Sequence, residues 1–217
     1  MTSSSNTPDL VYCDDSLLVV NKPPGLLAVP GRGADKQDCL SARLLPEFPD
    51  SLVVHRLDMA TSGLMVFARG KSMQRRLSQI FREREVSKRY IAVVSGRLEQ
   101  ESGEVALPLI CDWPNRPKQM VDHALGKPSL TRYRLLDMDG PNSRVELEPI
   151  TGRTHQLRLH MAAIGHPILG DALYGDESSA PRLLLHASSL GFDHPVRGDL
   201  LRFESPPPFP LPAASSQ

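Results

Sequence analysis

Short apolar runs closed by turn formers constrain this chain more than any other feature. They read LLVVN at 17–21, LVVHR at 52–56, LMVFA at 64–68, RYIAVVS at 89–95, TRYRLL at 131–136, RVELEPI at 144–150 and LLLHASSL at 183–190. Each has the length of a strand and is bounded by Gly, Pro, Asn or Asp. Two segments carry helical spacing instead. From Lys71 to Arg84, Met73, Leu77, Ile80 and Phe81 fall on one face and leave the basic residues on the other. From Arg153 to Ile164, Leu157, Met161 and Ile164 do the same, with Gly165 placed as a stop. Many strands and few helices, not in strict alternation, predict an α+β fold with a mixed, mostly antiparallel sheet flanked by helices and loops.

Composition sets the outer limits. A chain of 217 residues can bury a sizeable core, and the absence of any linker or repeat predicts one compact domain over 10–204. Residues 1–9 read as a flexible start, and SPPPFPLPAASSQ at 205–217 as an extended, proline-rich tail. Twenty-five basic residues balance twenty-five acidic ones, so any affinity for nucleic acid must come from local patches. Cys13, Cys39 and Cys111 are scattered and odd in number, which argues against a disulfide framework or a structural zinc site. No apolar stretch reaches membrane-spanning length, and the N-terminus lacks the basic start and apolar run of a signal peptide. Both point to the cytoplasm.

Four stretches carry candidate chemistry. HRLDMATSG at 55–63 crowds His55, Arg56, Asp58 and Thr61 into a loop between two apolar runs, where rigid flanks position functional groups. Arg beside a carboxylate suits a nucleophile or base, although a turn capped by Asp58 with a surface Arg56 ion pair fits the residues equally. In ITGRTHQLRLHMAAIGHPILGD at 150–171, a helix from Arg153 puts Thr154 and Arg158 on one face. A buried Arg there requires a carboxylate or phosphate, and Asp58 is a candidate; a plain amphipathic helix is the alternative. His155, His160 and His166 have spacings that do not stack metal ligands on one helical face, so no metal is expected. RGKSMQRRLSQIFREREVSKRY at 69–90 sets eight Lys or Arg, including Arg75 and Arg76, against two Glu. That is either an electrostatic footprint for phosphates or a solvated face, and Tyr90 closes it as core or as a stacking ring. ICDWPNRPKQM at 110–120 offers Arg116, Lys118 and Gln119 to RNA, or forms a loop pinned by its two prolines.

Taken together these pieces resemble the RluA family of pseudouridine synthases, from Leu18 to Phe203. NKPPGLLAVPGR at 21–32 is similar to the family's opening motif and HRLDMATSG to its catalytic one. KRYIAVVSG, PITGRTHQLRLHMAAIGHPILGD and APRLLLHASSL match the later motifs in order. VPGR, FREREVSKRY and CDWPNRPKQ look most like the short dual-specificity members, which modify a uridine in certain tRNA anticodon loops and another in a hairpin of 23S ribosomal RNA. The resemblance implies a catalytic domain without an S4-like RNA-binding domain, acting alone as a monomer. It implies that Asp58 is the catalytic carboxylate, as nucleophile or base, and that Tyr90 lies against the target uracil. Arg158 would pair with Asp58 and aim it, and Arg56 would fill the space left by the flipped uridine. Ile150 and Leu184 would wall the pocket.

The chemistry agrees with those roles. A target base must leave its stack, at a cost of a few kcal/mol that is least in a loop. Remaking a glycosidic bond without redox change or water addition calls for no metal and no organic cofactor. Two other classes compete. A non-catalytic RNA-binding protein would use the same basic helix but has no need of the carboxylate. A nucleoside or glycoside hydrolase would pair two carboxylates, and the motif loops offer one.

Overall fold

The first apolar run folds back on a strand that its own pattern did not announce. Strands β1 (Asp9–Cys13) and β2 (Leu17–Lys22) form an antiparallel hairpin. Asp14 closes it, its carboxylate accepting from the N–H groups of Ser16 and Leu17 at 2.7 and 3.0 Å, the local bonding that makes Asp a turn residue. The computed structural model describes residues 8–209. Of the expected flexible start at 1–9, residues 1–7 lie outside the described residues, as does the tail from 210 onward, and Asp9 already belongs to β1. Among the described residues, no helix is long and apolar enough to cross a membrane.

The chain forms two compact units. The first, up to Ser87 and again over Ser188–Ser205, continues with α1 (Leu40–Leu44), β3 (Ser51–Val53), β4 (Ser62–Arg69) and α2 (Gly70–Glu83). Both β2 and β3 pair antiparallel with β4, in the registers Leu17↔Ala68 and Ser51↔Arg69. Residues Leu17–Val20 and Ser62–Ala68 are buried without a break, so both faces of these strands are covered and the sequence there runs apolar rather than alternating. Leu17, Val19, Leu64, Val66 and Ala68 share a cluster with the fully buried Leu77 of α2, and Met73, Ile80 and Phe81 pack on it. Each large apolar side chain so removed from water contributes about 1.5–3 kcal/mol. The helix predicted from Lys71 to Arg84 is therefore present. Gly70, at φ 76°, admits the chain to it. Arg84, in the left-handed region at φ 65°, ends it by donating its N–H to the Ile80 and Phe81 carbonyls.

The second unit spans Lys88–Ala187 and the described residues after Ser205. It is built around β5 (Ser87–Ser95), β6 (Ser102–Val105), β7 (Leu109–Cys111), β8 (Gln119–Val121), β9 (Thr131–Asp139), β10 (Asn142–Pro149) and α3 (Gln156–Ala163). Strands β5, β10, β9 and β6 follow one another as antiparallel neighbours, and β7–β8 is a separate hairpin. Along β10, Ser143, Val145, Leu147 and Pro149 are buried and the residues between them are partly exposed, the period-2 signature of a sheet with one core face. Strand β11 (Leu185–Asp193) begins in the second unit and ends in the first, where it pairs antiparallel with β12 (Leu200–Glu204). The fold is α+β, as the order of apolar runs implied.

Three expectations need correction. The run at 52–56 is a strand only to Val53. The third helix starts at Gln156, not Arg153. The buried Gln156 carboxamide oxygen accepts from the Thr151 hydroxyl at 2.7 Å and the Arg153 N–H at 3.0 Å, folding 151–155 into a turn, so Thr154 and Arg158 do not share a helical face. Finally, the proline-rich segment returns to the core at Phe209, although Pro206 and Pro208 before it are exposed. That ring is buried against Ile91 and Val93, with the Arg182 guanidinium 5.7 Å from its centroid.

Candidate active site

The loop from Val54 to Thr61 owes its shape to alternation. Leu57 is buried, Arg56 before it is exposed, and Asp58 after it is half-buried. The turn is closed by the buried Thr61, whose N–H donates to the Asp58 carbonyl at 3.1 Å. His55 takes over where β3 stops: its Nε2 accepts from the Val66 N–H of β4 at 3.0 Å, and its ring stacks on Phe81 of α2 with centroids 4.5 Å apart. An imidazole thus continues the ladder by one rung, which needs Nε2 unprotonated and the proton on Nδ1. This anchoring task is one that the residue pattern did not show.

The other end of the loop hangs from a buried cation. Lys22, at the end of β2, is 1% exposed and donates to the carbonyls of Pro23, Leu26 and Met59 at 2.8, 2.7 and 3.0 Å. The Met59 carbonyl also accepts the Gly25 N–H at 2.9 Å. NKPPG is therefore bonded directly to the residue after Asp58, a link that sequence distance concealed. Arg75 and Arg76 lie on the exposed face of α2, and Arg76 donates to the Pro195 carbonyl at 3.0 Å.

In the second unit, α3 is buried nearly all round because its polar groups find partners inside. Arg158, with its side chain 6% exposed, forms a forked pair with the fully buried Asp171: Nε to Oδ2 at 2.8 Å and Nη2 to Oδ1 at 2.6 Å. Asp171 Oδ1 also accepts the N–H groups of Leu173 and Tyr174. Burial pushes the Asp171 carboxyl up, but Arg158 and the two amides outweigh it and hold the group below the ordinary carboxylate value. Within this unit Asp171 thus supplies the carboxylate that a buried Arg158 requires. His160 is enclosed by the Thr131 and Ser129 hydroxyls and the Leu107 carbonyl at 2.9, 3.0 and 3.1 Å. Its desolvation lowers the imidazole below its usual value against the opposing effect of the Leu107 carbonyl. His155 meets the Tyr174 hydroxyl at 2.8 Å and His166 the Ser95 carbonyl at 2.9 Å.

Tyr90 sits half-buried on β5, opposite Leu147 of β10. Its neighbour Arg89 is held by Glu146 and Glu148. Ile150 is half-buried and donates its N–H to the Leu130 carbonyl at 3.0 Å, while Leu184 packs on the cluster of Ile91, Val93 and Phe209. Arg116, exposed, and Lys118, half-buried, lie on the β7–β8 connection.

An HRLD loop, its tether and a buried Arg on α3 fit a known class. Residues 16–163 match the RNA pseudouridylate synthase family, more than half of the chain, and the chain belongs to that family. It is an RNA pseudouridine synthase, isomerising uridine to pseudouridine in RNA. The chain is 50% identical over 204 residues to the dual-specificity RNA pseudouridine synthase RluA of Escherichia coli K12, covering 92% of this chain and 93% of that one. The same enzyme from Pasteurella multocida is also 50% identical, over 93% of this chain and 94% of that one. Among solved structures, the human RNA pseudouridylate synthase domain containing 1 aligns at TM-score 0.79 with 30% identity, over 96% of this chain and 87% of that one.

Proposed function

We propose that Asp58 is the carboxylate that carries the isomerisation, and that the substrates are a tRNA anticodon stem-loop and a 23S ribosomal RNA hairpin. The observation that carries the first statement is the way the loop is held. Leu57 anchors one side of Asp58, and the Thr61 N–H and the Lys22 ammonium secure the carbonyls of residues 58 and 59, a half-buried carboxylate aimed in advance. The second is supported by the likeness to relatives named for dual specificity. In this reading Tyr90 lies against the flipped uracil, Arg158 orients the reacting carboxylate, and Arg56 fills the vacated stack. Ile150 and Leu184 wall the pocket, and His55 and Thr61 shape the loop. Arg75, Arg76, Arg116 and Lys118 contact the RNA, and the enzyme works as a cytoplasmic monomer.

Tritium release from C5-labelled uridine tests this, in an anticodon stem-loop and in the ribosomal hairpin, with wild type and Asp58→Ala side by side. Release by wild type from both RNAs, and none by the variant despite RNA affinity within a few-fold, is the expected result. Equal loss of binding and turnover in the variant overturns the role of Asp58, and release from one RNA alone overturns dual specificity.

A further inference from the structure

We infer that the tip of the β7–β8 hairpin is a stacking platform for an unpaired RNA base, with Trp113 as its ring. The inference rests on the reading that this enzyme acts on RNA loops, and it assigns a residue that the reading left unused. Trp113 is the one tryptophan of the chain and is 65% exposed, whereas every Phe and Tyr among the described residues is buried or half-buried. Large rings held in water on an ordered loop mark contact sites, because their apolar area is unused in the free protein.

The loop around it is built to stay in place. Pro114 and Pro117 restrict the backbone. Across the turn, the N–H groups of Asp112, Asn115 and Lys118 donate to the carbonyls of Lys118, Asp112 and Asn115 at 3.0, 3.1 and 3.0 Å. The Asn115 side-chain amide donates to the Asp112 carboxylate at 2.9 Å, bracing the turn further. Arg116 donates from Nε to the Trp113 carbonyl at 3.1 Å and lies 4.6 Å from the ring centroid. A guanidinium thus covers one face of the indole, and the remaining exposure leaves the other to solvent. A planar base fits that face, and the cation beneath it strengthens stacking and attracts the adjoining phosphate.

The platform is also tied to the rest of its unit. At its base the Gln119 N–H donates to the Tyr174 hydroxyl at 2.7 Å. Tyr174 meets His155 at the start of α3, and the Arg158 guanidinium lies 5.4 Å from the Tyr174 centroid. A base stacked on Trp113 is therefore held in fixed register with α3. Paired bases hide their faces, so such a platform favours loops over duplexes.

The lone indole makes the test local, since tryptophan emission reports on this tip alone. An anticodon stem-loop and a fully paired RNA of equal length are titrated into the protein, with binding followed independently by anisotropy of labelled RNA. The stem-loop quenches the emission and protects it from acrylamide, and the duplex does so much less. Trp113→Ala weakens stem-loop binding about 5- to 150-fold, the stacking of one base. Trp113→Phe restores most of the loss, and duplex affinity changes less than about twofold in either variant. Unchanged emission and acrylamide access at RNA saturation, or a Trp113→Ala variant that binds the stem-loop like wild type, overturns the platform while leaving the enzyme's action on that RNA intact. If wild type neither binds nor modifies the stem-loop, the substrate reading falls and the platform with it.

Discussion

Replacing Asp171 by Asn isolates the buried pair on which α3 depends. The two residues are nearly isosteric, so the cavity stays filled while one acceptor oxygen becomes an amide facing the Arg158 guanidinium. Arg158 and Asp171 have side chains 6% and 0% exposed and are joined at 2.8 and 2.6 Å. Removing the charge from one partner of such a buried pair costs about 3–5 kcal/mol. For a chain of this size each kcal/mol moves Tm by roughly 2–4 °C, so Tm falls by roughly 6–20 °C. Urea titration with calorimetry on wild type, Asp171→Asn and the double variant Arg158→Met/Asp171→Leu measures it. The double variant removes both charges and recovers most of the stability. A loss below about 1 kcal/mol in the single variant, or a double variant as unstable as the single, refutes the reasoning. Acid adds an independent reading. The Asp171 carboxyl is held below its ordinary value in the fold, so its contribution is complete above about pH 3.9, the unfolded pKa, and is lost as pH falls through the lower folded one. Asp171→Asn lacks that part of the acid limb.

Two further outcomes follow from the same geometry. The buried His160 imidazole is pushed below its usual value, so its share of stability is complete above about pH 6.5 and declines as pH falls toward the folded pKa. His160→Gln removes this slope from the Tm–pH profile, and a variant that keeps the wild-type slope refutes the assignment. Arg75→Ala or Arg76→Ala on the exposed face of α2 reduces the slope of log Kobs against log salt by about 0.7–0.9 for each phosphate that the side chain neutralises. A slope equal to wild type removes that helix from the RNA footprint.

What was legible in the sequence followed from periodicity. Leu17–Val20 and Leu64–Ala68 read as strands because both faces are covered and the runs are unbroken. The helix at 70–83 was readable because its apolar residues meet one core cluster and its basic face meets solvent. HRLDMATSG stood out as a loop because two such runs enclose it. The start of α3 was not legible: Gln156, Arg158 and His160 look like a solvated face in sequence, and only their partners Thr151, Asp171 and Thr131 turn them inward. Strands β1 and β12 were missed because they are short, five residues each, and most of their residues are exposed. Asp171 lies inside a motif that was recognised, yet its pairing across 13 positions is a tertiary fact.

The Lys22 ammonium has consequences for motion. Because one small cation gathers carbonyls from Pro23, Leu26 and Met59, the segment after β2 and the segment bearing Asp58 cannot swing separately without stripping a buried charge of its acceptors. They form a single stiff jaw with no hinge between its halves. A planar guanidinium would not gather three carbonyls at one point, so this knot is specific to an ammonium. The segment after β2 and the segment bearing Asp58 therefore move as one body.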